Sequence, residues 1–325
     1  MTPPRTHTME HARIVHAPAV VLYELVADVS RWPVIFGPSL HVRHLQRGPT
    51  RERFELWALV GGQVKTWTSR RTLDASGLRI TFEQERSHAP IMSMGGAWSF
   101  RALPGGRTQV VLDHHFSADG QRVIDWIAAA VDRNSEEELA ALGRIAELDA
   151  PVSEIIDTFD DTVRLSGSAA DAYTFINRSD EWPDRLPHVR RVLLREERPG
   201  VQHMEMDTVT ADGSAHTTTS VRLCFPSEQI VYKQLVPPAM LLGHSGSWHF
   251  ADVPGDSAGA VVTARHTVAI NPSAAREVLG ADSTLADVRH YLREALGGNG
   301  RATLAQAGSY AESRSVVPAE WRSAR

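Results

Sequence analysis

Hydrophobic and polar positions follow the same order twice along the chain. Each half begins with a short alternating run, residues 13–16 and 162–165, and a short amphipathic helix follows. Pro18 stands near the start of the first helix, and Ser168 is the expected N-cap of the second. Trp-Pro then marks a second small helix or turn, and six more strand-like runs come after it. The turn signals between these runs include Gly61-Gly62, Ala75-Ser76-Gly77, Pro104-Gly105-Gly106 and Ala211-Asp212-Gly213.

A long amphipathic helix is predicted at the end of each half, over residues 121–148 and 284–310. The first has an apolar stripe of Val123, Ile127, Val131, Leu139, Leu142 and Ile145. The boundary between the halves is expected near Asp149-Ala150-Pro151. This places one domain at 1–150, called copy one, and another at 151–325, called copy two.

Matching residues show that the halves are duplicated domains. The matches at an offset of 150 residues are Trp32-Pro33 with Trp182-Pro183, Phe82 and Gln84 with Tyr232 and Gln234, and Trp98 and Phe100 with Trp248 and Phe250. The matches at an offset of 151 are Ser69 and Arg71 with Ser220 and Arg222, and His115 with His266. A period this long is that of whole domains and not of a solenoid.

The element order predicts an α+β fold of two tandem helix-grip domains. In each, one long helix grips the concave face of a bent seven-stranded antiparallel sheet. A single helix cannot cover such a sheet completely, so a cavity is expected between helix and sheet.

The composition of the chain limits the classes of binding partner that it favours. The chain has 325 residues, is 42% hydrophobic and 22% charged, and carries a net charge of −5, which favours neither nucleic acid nor an anionic membrane. Its single cysteine, Cys224, cannot form an intrachain disulfide and fits a reducing cytosol. No apolar run approaches the roughly 20 residues of a membrane helix. We expect a soluble, cytoplasmic protein.

The run 65–73 carries the first candidate site. Strand alternation puts Trp67, Ser69 and Arg71 on the inner face. A buried arginine needs a partner. Arg71 either pairs with a carboxylate such as Glu55 or Asp113 and holds the sheet, or projects into a wet cavity and binds a ligand oxygen.

Other inward positions are predicted from the same alternation. Gln84 and Gln234 occupy matching inward places, and His244 replaces Met94 in copy two. Alternation does not decide which residues of the last strand of copy one face inward. One alternative places His114 inward and the other places His115 inward, whereas His266 of copy two fits an inward position. An inward histidine is either structural or a proton carrier. The inner face of the sixth strand is predicted as Met92, Met94, Trp98 and Phe100, and in copy two as Leu242, His244, Trp248 and Phe250.

The sequence motifs of several classes of cofactor-binding, metal-binding and catalytic site are absent. There is no GxGxxG, Walker A, HExxH or paired CxxC motif. Gly243-His244-Ser245-Gly246 lies inside a predicted strand and not at a strand-to-helix turn, so it does not favour a hydrolase. We therefore expect neither a cofactor nor a metal.

The chain resembles the didomain aromatase/cyclases of bacterial type II polyketide synthases, which have START-like and birch-pollen-allergen-like folds. The features that carry the resemblance are Trp32-Pro33, the Trp67-x-Ser69-x-Arg71 strand and the Gly96-x-Trp98-x-Phe100 strand. It implies catalytic roles for Arg71 and Ser69, with Arg222 and Ser220 as their matches. Copy two departs from the pattern, because Thr218 stands where copy one has Trp67. The substrate-binding residues expected from the resemblance and the alternation are Trp32, Trp67, Gln84, Met94, Trp98, His114, Gln234, His244, Trp248 and His266.

The resemblance also implies a substrate and partners. The substrate would be a ketoreduced poly-β-ketone on the phosphopantetheine arm of an acyl carrier protein, and other type II polyketide synthase subunits would be partners. The reaction would close the first ring and remove water. A cation beside a ketone oxygen stabilises an enolate, and aromatic walls orient a flexible chain.

Two further expectations concern alternatives. The same fold serves non-catalytic carriers of lipids or other hydrophobic small molecules, which would favour a uniformly apolar tunnel. Within the enzyme hypothesis, copy one is expected to carry most of the ring closure, and copy two the later proton transfers. On this hypothesis Arg71→Ala loses ring formation but leaves the fold intact, and Arg222→Ala does less damage.

Overall fold

The computed structural model describes residues 6–85, 90–209 and 215–315, and side chains within these ranges except those of residues 215 and 256–258. The predicted turn at Ala211-Asp212-Gly213 lies outside the described residues. The chain divides into two compact units, Met1–Ser153 and Glu154–Arg325, a few residues after the predicted boundary.

Copy one contains seven strands and three α-helices before the division. Its strands are β1 His7–Val15, β2 Ser39–Arg47, β3 Arg51–Val60, β4 Gln63–Asp74, β5 Arg79–Gln84, β6 Ile91–Leu103 and β7 Arg107–Ala118. Its helices are α1 Ala19–Ala27, α2 Trp32–Ile35 and α3 Gln121–Ala146, with a 3-10 turn at Val29–Arg31. A short helix, α4 Val152–Ile155, leads across the division into copy two.

Copy two repeats the order. Its strands are β8 Ile156–Ser166, β9 Val189–Arg198, β10 Val201–Val209, β11 Ala215–Phe225, β12 Gln229–Val236, β13 Leu241–Val253 and β14 Asp256–Ile270. Its helices are α5 Ala169–Asn177, α6 Trp182–Arg185, α7 Pro272–Leu279 and α8 Leu285–Ser315, with a 3-10 turn at Ser179–Glu181. Helices α4 and α7 were not predicted, since each is short and adjoins a strand: α4 precedes β8 and α7 follows β14.

Each unit is one antiparallel sheet closed by its long helix. The strand orders are β1-β7-β6-β5-β4-β3-β2 and β8-β14-β13-β12-β11-β10-β9. Helix α3 packs on β1 and β7, and α8 packs on β8 and β14. The predicted stripe of α3 faces the sheet, where Ile127, Val131 and Leu142 are buried. The predicted α+β helix-grip fold is confirmed.

The N-cap predicted at Ser168 is present. Its hydroxyl accepts a hydrogen bond from the backbone N–H of Asp171, at 3.1 Å, and so satisfies one of the free donors at the start of α5. In copy one Pro18 holds the same place and makes no side-chain cap. Both helices therefore start at equivalent positions by different means.

Candidate active site

The inner face of copy one follows the predicted alternation on β4 and β5. Ser69 lies opposite Gln84, and Arg71 opposite Phe82. Alternation places Trp67, Phe82 and Gln84 on the side of the sheet on which α3 packs, yet they stay only half-buried, as do Met94 and His114. Their remaining exposure indicates a space between the sheet and α3, which is called the chamber of copy one. Gln84 donates a hydrogen bond to the sulfur of Met94, at 3.6 Å.

Arg71 does not project into this chamber, and that prediction was wrong. Its side chain is sealed, with the residue 3% exposed. Its Nε donates to Glu52 Oε1 at 2.8 Å, and its two terminal nitrogens donate to the carbonyls of Val26 and Ala27 at 2.8 and 2.6 Å. The guanidinium also lies 5.1 Å from the centre of the Trp32 ring. Arg71 therefore ties β4 to the end of α1.

The partner of Arg71 is Glu52, not Glu55 or Asp113. Glu52 stands directly opposite Arg71 on β3 and is itself buried. Glu55 has the other parity and binds Arg43 at 2.6 Å. The alternation of Glu52 with buried Phe54 would have indicated an inward carboxylate. Burial lowers the pKa of Arg71, and the charge of Glu52 acts in the opposite direction.

Arg222 has a different charge environment. The residue opposite it is Gln202, so a neutral amide replaces Glu52. Arg222 is 2% exposed, and it donates to Ser179 Oγ and to the carbonyl of Ile176, both at 2.5 Å. Within the described part of the chain, no carboxylate forms an ion pair with it. Copy two therefore buries a cation beside its concave face with only neutral groups in contact.

The last strand places His114, not His115, as the counterpart of His266. His114 lies opposite Gly96, and His266 opposite the matching Gly246. The predicted match of His115 with His266 was wrong, because the hairpin between β13 and β14 is two residues longer than the hairpin between β6 and β7. His115 points outward and contacts Glu83 at 2.9 Å. Of the two histidines, His114 is therefore the one that faces inward.

His114 lies on the concave face of copy one among polar and aromatic groups. Its Nδ1 is 3.4 Å from Ser135 Oγ on α3, and its ring packs edge-on against Phe82. Burial, followed by the charges of His11 and His115, lowers the pKa of His114 to about 4. The ring is therefore neutral at physiological pH and can accept a proton.

Copy two holds a cluster of two histidines and a tyrosine. His266 Nδ1 lies 3.2 Å from His244 Nε2 and 3.0 Å from the hydroxyl of Tyr232. The remaining nitrogens, His266 Nε2 and His244 Nδ1, are buried and without a hydrogen-bond partner among the described residues. Burial lowers the pKa of His244 to about 3 and of His266 to about 4. Gln234 Oε1 is a third buried acceptor without a partner.

Glycines make room for this cluster. A Cβ on Gly246 would lie 2.5 Å from the carbonyl of Arg265 and would strike the Tyr232 hydroxyl. A Cβ on Gly300 of α8 would lie 3.4 Å from His266 Nε2. Only the absence of side chains at both positions leaves Tyr232 and His266 their places.

The tryptophans divide between chamber and core. Trp67 stays half-buried, whereas Trp98 and Trp248 are closed in the core, against the prediction that they line a cavity. Trp98 stacks with Phe36 and Phe100, which explains its burial. Trp32 donates a hydrogen bond to the carbonyl of Val26 and packs on Arg71. It therefore belongs to the contacts that join β4 to the end of α1.

Two other predicted positions need comment. Met92 was placed on the inner face, but it is 50% exposed, because a register shift between Ile91 and Ser93 leaves it as an unpaired extra residue. Ser69 and Ser220 are buried on the concave faces as predicted. Ser220 lies opposite Gln234, which repeats the pairing of Ser69 with Gln84.

Two shallow grooves on copy one lie on the opposite, convex face. Their volumes are about 410 and 530 Å³, and both are bordered by outward side chains such as Thr81 and Glu83. Neither is the space between α3 and the sheet. Within residues 6–85, 90–209 and 215–315 no cluster of three or more metal-ligating side chains is found, and no described helix is long and apolar enough to span a membrane.

Comparison with known proteins identifies relatives of the whole chain. The actinorhodin polyketide synthase bifunctional cyclase/dehydratase of Streptomyces coelicolor is 52% identical over 96% of this chain and 99% of its own. The granaticin counterpart of Streptomyces violaceoruber is 49% identical over 95% of each. The crystal structure of the di-domain ARO/CYC BexL superposes with a TM-score of 0.81 and 44% identity, over 94% of this chain and 99% of that chain.

A family model matches both copies separately. The model described as polyketide cyclase / dehydrase and lipid transport covers residues 15–141 and 165–289. It therefore spans six of the seven strands of each sheet and most of α3, but only the first turn of α8. The chain belongs to the polyketide cyclase/dehydrase family and carries two copies of its domain.

Proposed function

We propose that the protein is an aromatase/cyclase that closes and dehydrates the first ring of a ketoreduced poly-β-ketone in aromatic polyketide biosynthesis. Its relatives are polyketide synthase bifunctional cyclase/dehydratases, matched over nearly their full length. The observation that carries the proposal is the concave face of each copy. Neutral histidines stand there beside aromatic walls, which suits proton transfer on a flat organic ligand.

Ring closure needs an enolate and a folded chain. A methylene between two ketones is acidic for a C–H bond, and a neutral imidazole such as His114 is available to take its proton. The half-buried faces of Trp67 and Phe82 would stack on the chain and restrict its conformations. Such orientation is worth several kcal/mol in favourable cases. The hydroxyl of Ser69 is placed to hydrogen-bond a ketone oxygen.

The two arginines support the reaction in different ways. The charge of Arg71 is neutralised by Glu52. Its hydrogen bond to the backbone of α1 holds that helix, and with it the neighbouring Trp32, in place. Arg222 has no carboxylate in contact among the described residues, so its positive field remains available to the oxyanion of a substrate in copy two. Ser220 stands two residues before it on the same face, as Ser69 does before Arg71.

Water loss needs a base and an acid on one substrate. In copy two His266 Nε2 is buried without a partner, and Tyr232 hydrogen-bonds the other ring nitrogen. In the tautomer whose Nδ1–H donates to the tyrosine oxygen, Nε2 is the basic nitrogen and can take a proton from carbon. We propose His244 and Gln234 as polar groups that orient the substrate oxygens beside it.

The substrate would arrive on an acyl carrier protein. Growing polyketides of this class are thioesters of a phosphopantetheine arm, and the relatives are named as polyketide synthase proteins. The non-catalytic carrier is the less supported alternative. A lipid tunnel has little use for buried histidines with unpartnered nitrogens, because each costs free energy in an apolar space.

Reconstitution of the pathway step tests this function. Purified protein is added to a minimal polyketide synthase and a ketoreductase, and the products are separated by chromatography with mass detection. We expect mis-cyclised shunt compounds to give way to a first-ring aromatised product. An unchanged product profile with folded protein would contradict the proposed activity.

A further inference from the structure

A histidine on the first strand of copy one is joined to the long helix. Alternation along β1 buries His11 and Val15 on the side where α3 packs, whereas the neighbouring Glu10 stays exposed. His11 is 8% exposed, and its Nε2 lies 2.9 Å from the Asp132 carboxylate on α3. The Asp132 side chain is 64% exposed. The pair therefore has one member in the covered space under the helix and the other in contact with solvent.

The second ring nitrogen of His11 is buried and has no hydrogen-bond partner among the described residues. Because the Asp132 carboxylate accepts hydrogen bonds, the neutral ring donates through Nε2, and Nδ1 is then its basic nitrogen. An unpaired acceptor in a covered space costs free energy, and a link that only held strand to helix would not require it. Nδ1 is placed to take a proton on the covered side while Nε2 gives one up on the exposed side.

His11 lies next to the inward histidine of the last strand. It stands opposite Leu112 on β7, so His114, two residues away on the same face, is its diagonal neighbour. The Cα atoms of such diagonal pairs are roughly 7–8 Å apart. After the larger effect of burial, the charge of His11 also lowers the pKa of His114, which places the two rings within electrostatic reach. One turn of α3 contacts both rings, through Asp132 and Ser135.

Copy two joins the same two elements with a pair of different chemistry. Asp161 holds the place of His11 on β8, since both lie opposite the residue two positions before the inward histidine. Asp161 accepts a hydrogen bond from Arg301 of α8 at 3.0 Å. An arginine keeps its proton at physiological pH, so this pair links strand and helix without conducting protons. Both copies therefore have the link, and only the link of copy one contains a group that can exchange a proton.

We propose that His11 and Asp132 form a proton relay between bulk water and the chamber of copy one. The inference rests on the proposed function. During ring closure the proton removed from carbon leaves by entering His11 at Nδ1, while the Nε2 proton passes to Asp132 and to solvent. The C–H electron pair becomes the enolate and then the new C–C bond, and the attacked ketone becomes an alkoxide. The reverse movement along the relay brings a proton to the alkoxide and restores the first tautomer of His11.

Exchange of the substrate's hydrogen with solvent distinguishes a relay from a structural link. The probe is a synthetic diketone with three carbons between its carbonyl groups, so that aldol closure forms a six-membered ring. In D₂O, NMR follows deuterium incorporation next to the ketone, and chromatography follows ring closure. The full chain is compared with His11→Gln and Asp132→Asn, which keep a hydrogen bond between strand and helix but cannot pass the proton. All proteins carry His266→Gln to keep copy two silent.

His7→Gln is the matched control. His7 lies on the same face of β1, is also a histidine with a buried and unpartnered Nε2, and stacks on Phe116 instead of meeting a helix carboxylate. We expect His11→Gln and Asp132→Asn to lower the ratio of deuterium incorporation to ring closure at least about tenfold, because the enolate recaptures the hydrogen that it lost. Imidazole in the buffer should restore the ratio in His11→Gln. The urea midpoints of both variants, and the ratio in His7→Gln, should match those of the parent.

Three results would overturn the relay and leave the proposed function standing. They are an unchanged ratio, exchange and ring closure that fall together, and a lowered ratio that imidazole does not restore. If only the chain on the carrier protein is closed, the variants are compared on that chain. A product rate that falls in His11→Gln and returns with imidazole then supports the relay, and a rate within about threefold of the parent, or one that imidazole does not restore, overturns it. Wild-type protein that closes neither substrate would overturn the proposed function, and the relay with it.

Discussion

Arg71→Ala is expected to lower the free energy of unfolding by about 3–5 kcal/mol, a large part of what a domain of this size has. The change removes the arginine from the buried Glu52 carboxylate, which keeps only its contact with His44 at 3.2 Å, and it frees the carbonyls of Val26 and Ala27 at the end of α1. Removing one member of a buried pair costs far more than the pair itself contributes. Urea unfolding followed by circular dichroism measures the loss.

Two further variants separate this effect from a general loss of charge. Arg70→Ala removes an arginine from the exposed face of the same strand and should change stability by less than about 0.5 kcal/mol. Arg71→Met combined with Glu52→Leu removes both charges and should recover most of the stability. An Arg71→Ala protein as stable as Arg70→Ala would show that the buried pair does not hold the sheet to α1.

Acidification should destabilise the protein through its buried histidines. The pKa values of His114 and His266 are about 4 and that of His244 is about 3, all below the ordinary value of 6.5. Between pH 6.5 and about 4 the unfolded chain therefore binds protons that the folded chain does not. Stability present above pH 6.5 is lost as the pH falls through this window. Each histidine contributes on the order of 3 kcal/mol.

Glu138 has the opposite effect on the pH dependence of stability. Its pKa is raised to about 7 from 4.5, so the folded chain binds its proton more tightly in that window, and its contribution to stability falls as pH rises. Three histidines outweigh one carboxyl group, and we expect a net loss of stability on going from pH 7 to 4.5. In His266→Gln that loss should shrink by about 2 kcal/mol. His115→Gln, at an outward position, should retain it, and an equal loss in His266→Gln and wild type would contradict the account.

The architecture was predictable because its signals are periodic. Alternation found the inner face of β4, and the apolar stripe found α3 to within two residues of its end. The repeat found the two copies, because equivalent cores need equivalent side chains at equivalent spacings. The predicted orientation of Met92 was wrong for a local reason. A bulge adds a residue to one strand and reverses the inward and outward alternation beyond it.

The environment of the site was less predictable, since it depends on contacts across strands. Arg71 was placed on the correct face, but whether it meets a ligand or a carboxylate depends on the register between β3 and β4, which puts Glu52 directly opposite. The contrast between Glu52 and Gln202 can be seen only when the same register is known in both copies. Glu138 was missed because a single glutamate in an amphipathic helix resembles a solvated position. Only its spacing from Ser135 and Leu142 marks it as inward.

The central claim is that ring closure and dehydration take place between the long helix and the concave face, and a co-crystal structure tests it most directly. The ligand would be a flat hydroxylated anthraquinone carboxylate, as a stand-in for the aromatised product. We predict that it lies in copy one against Trp67 and Phe82, with its oxygens toward His114. Density for the ligand only in the convex grooves beside Arg70, with both concave faces empty at saturating concentration, would contradict the account.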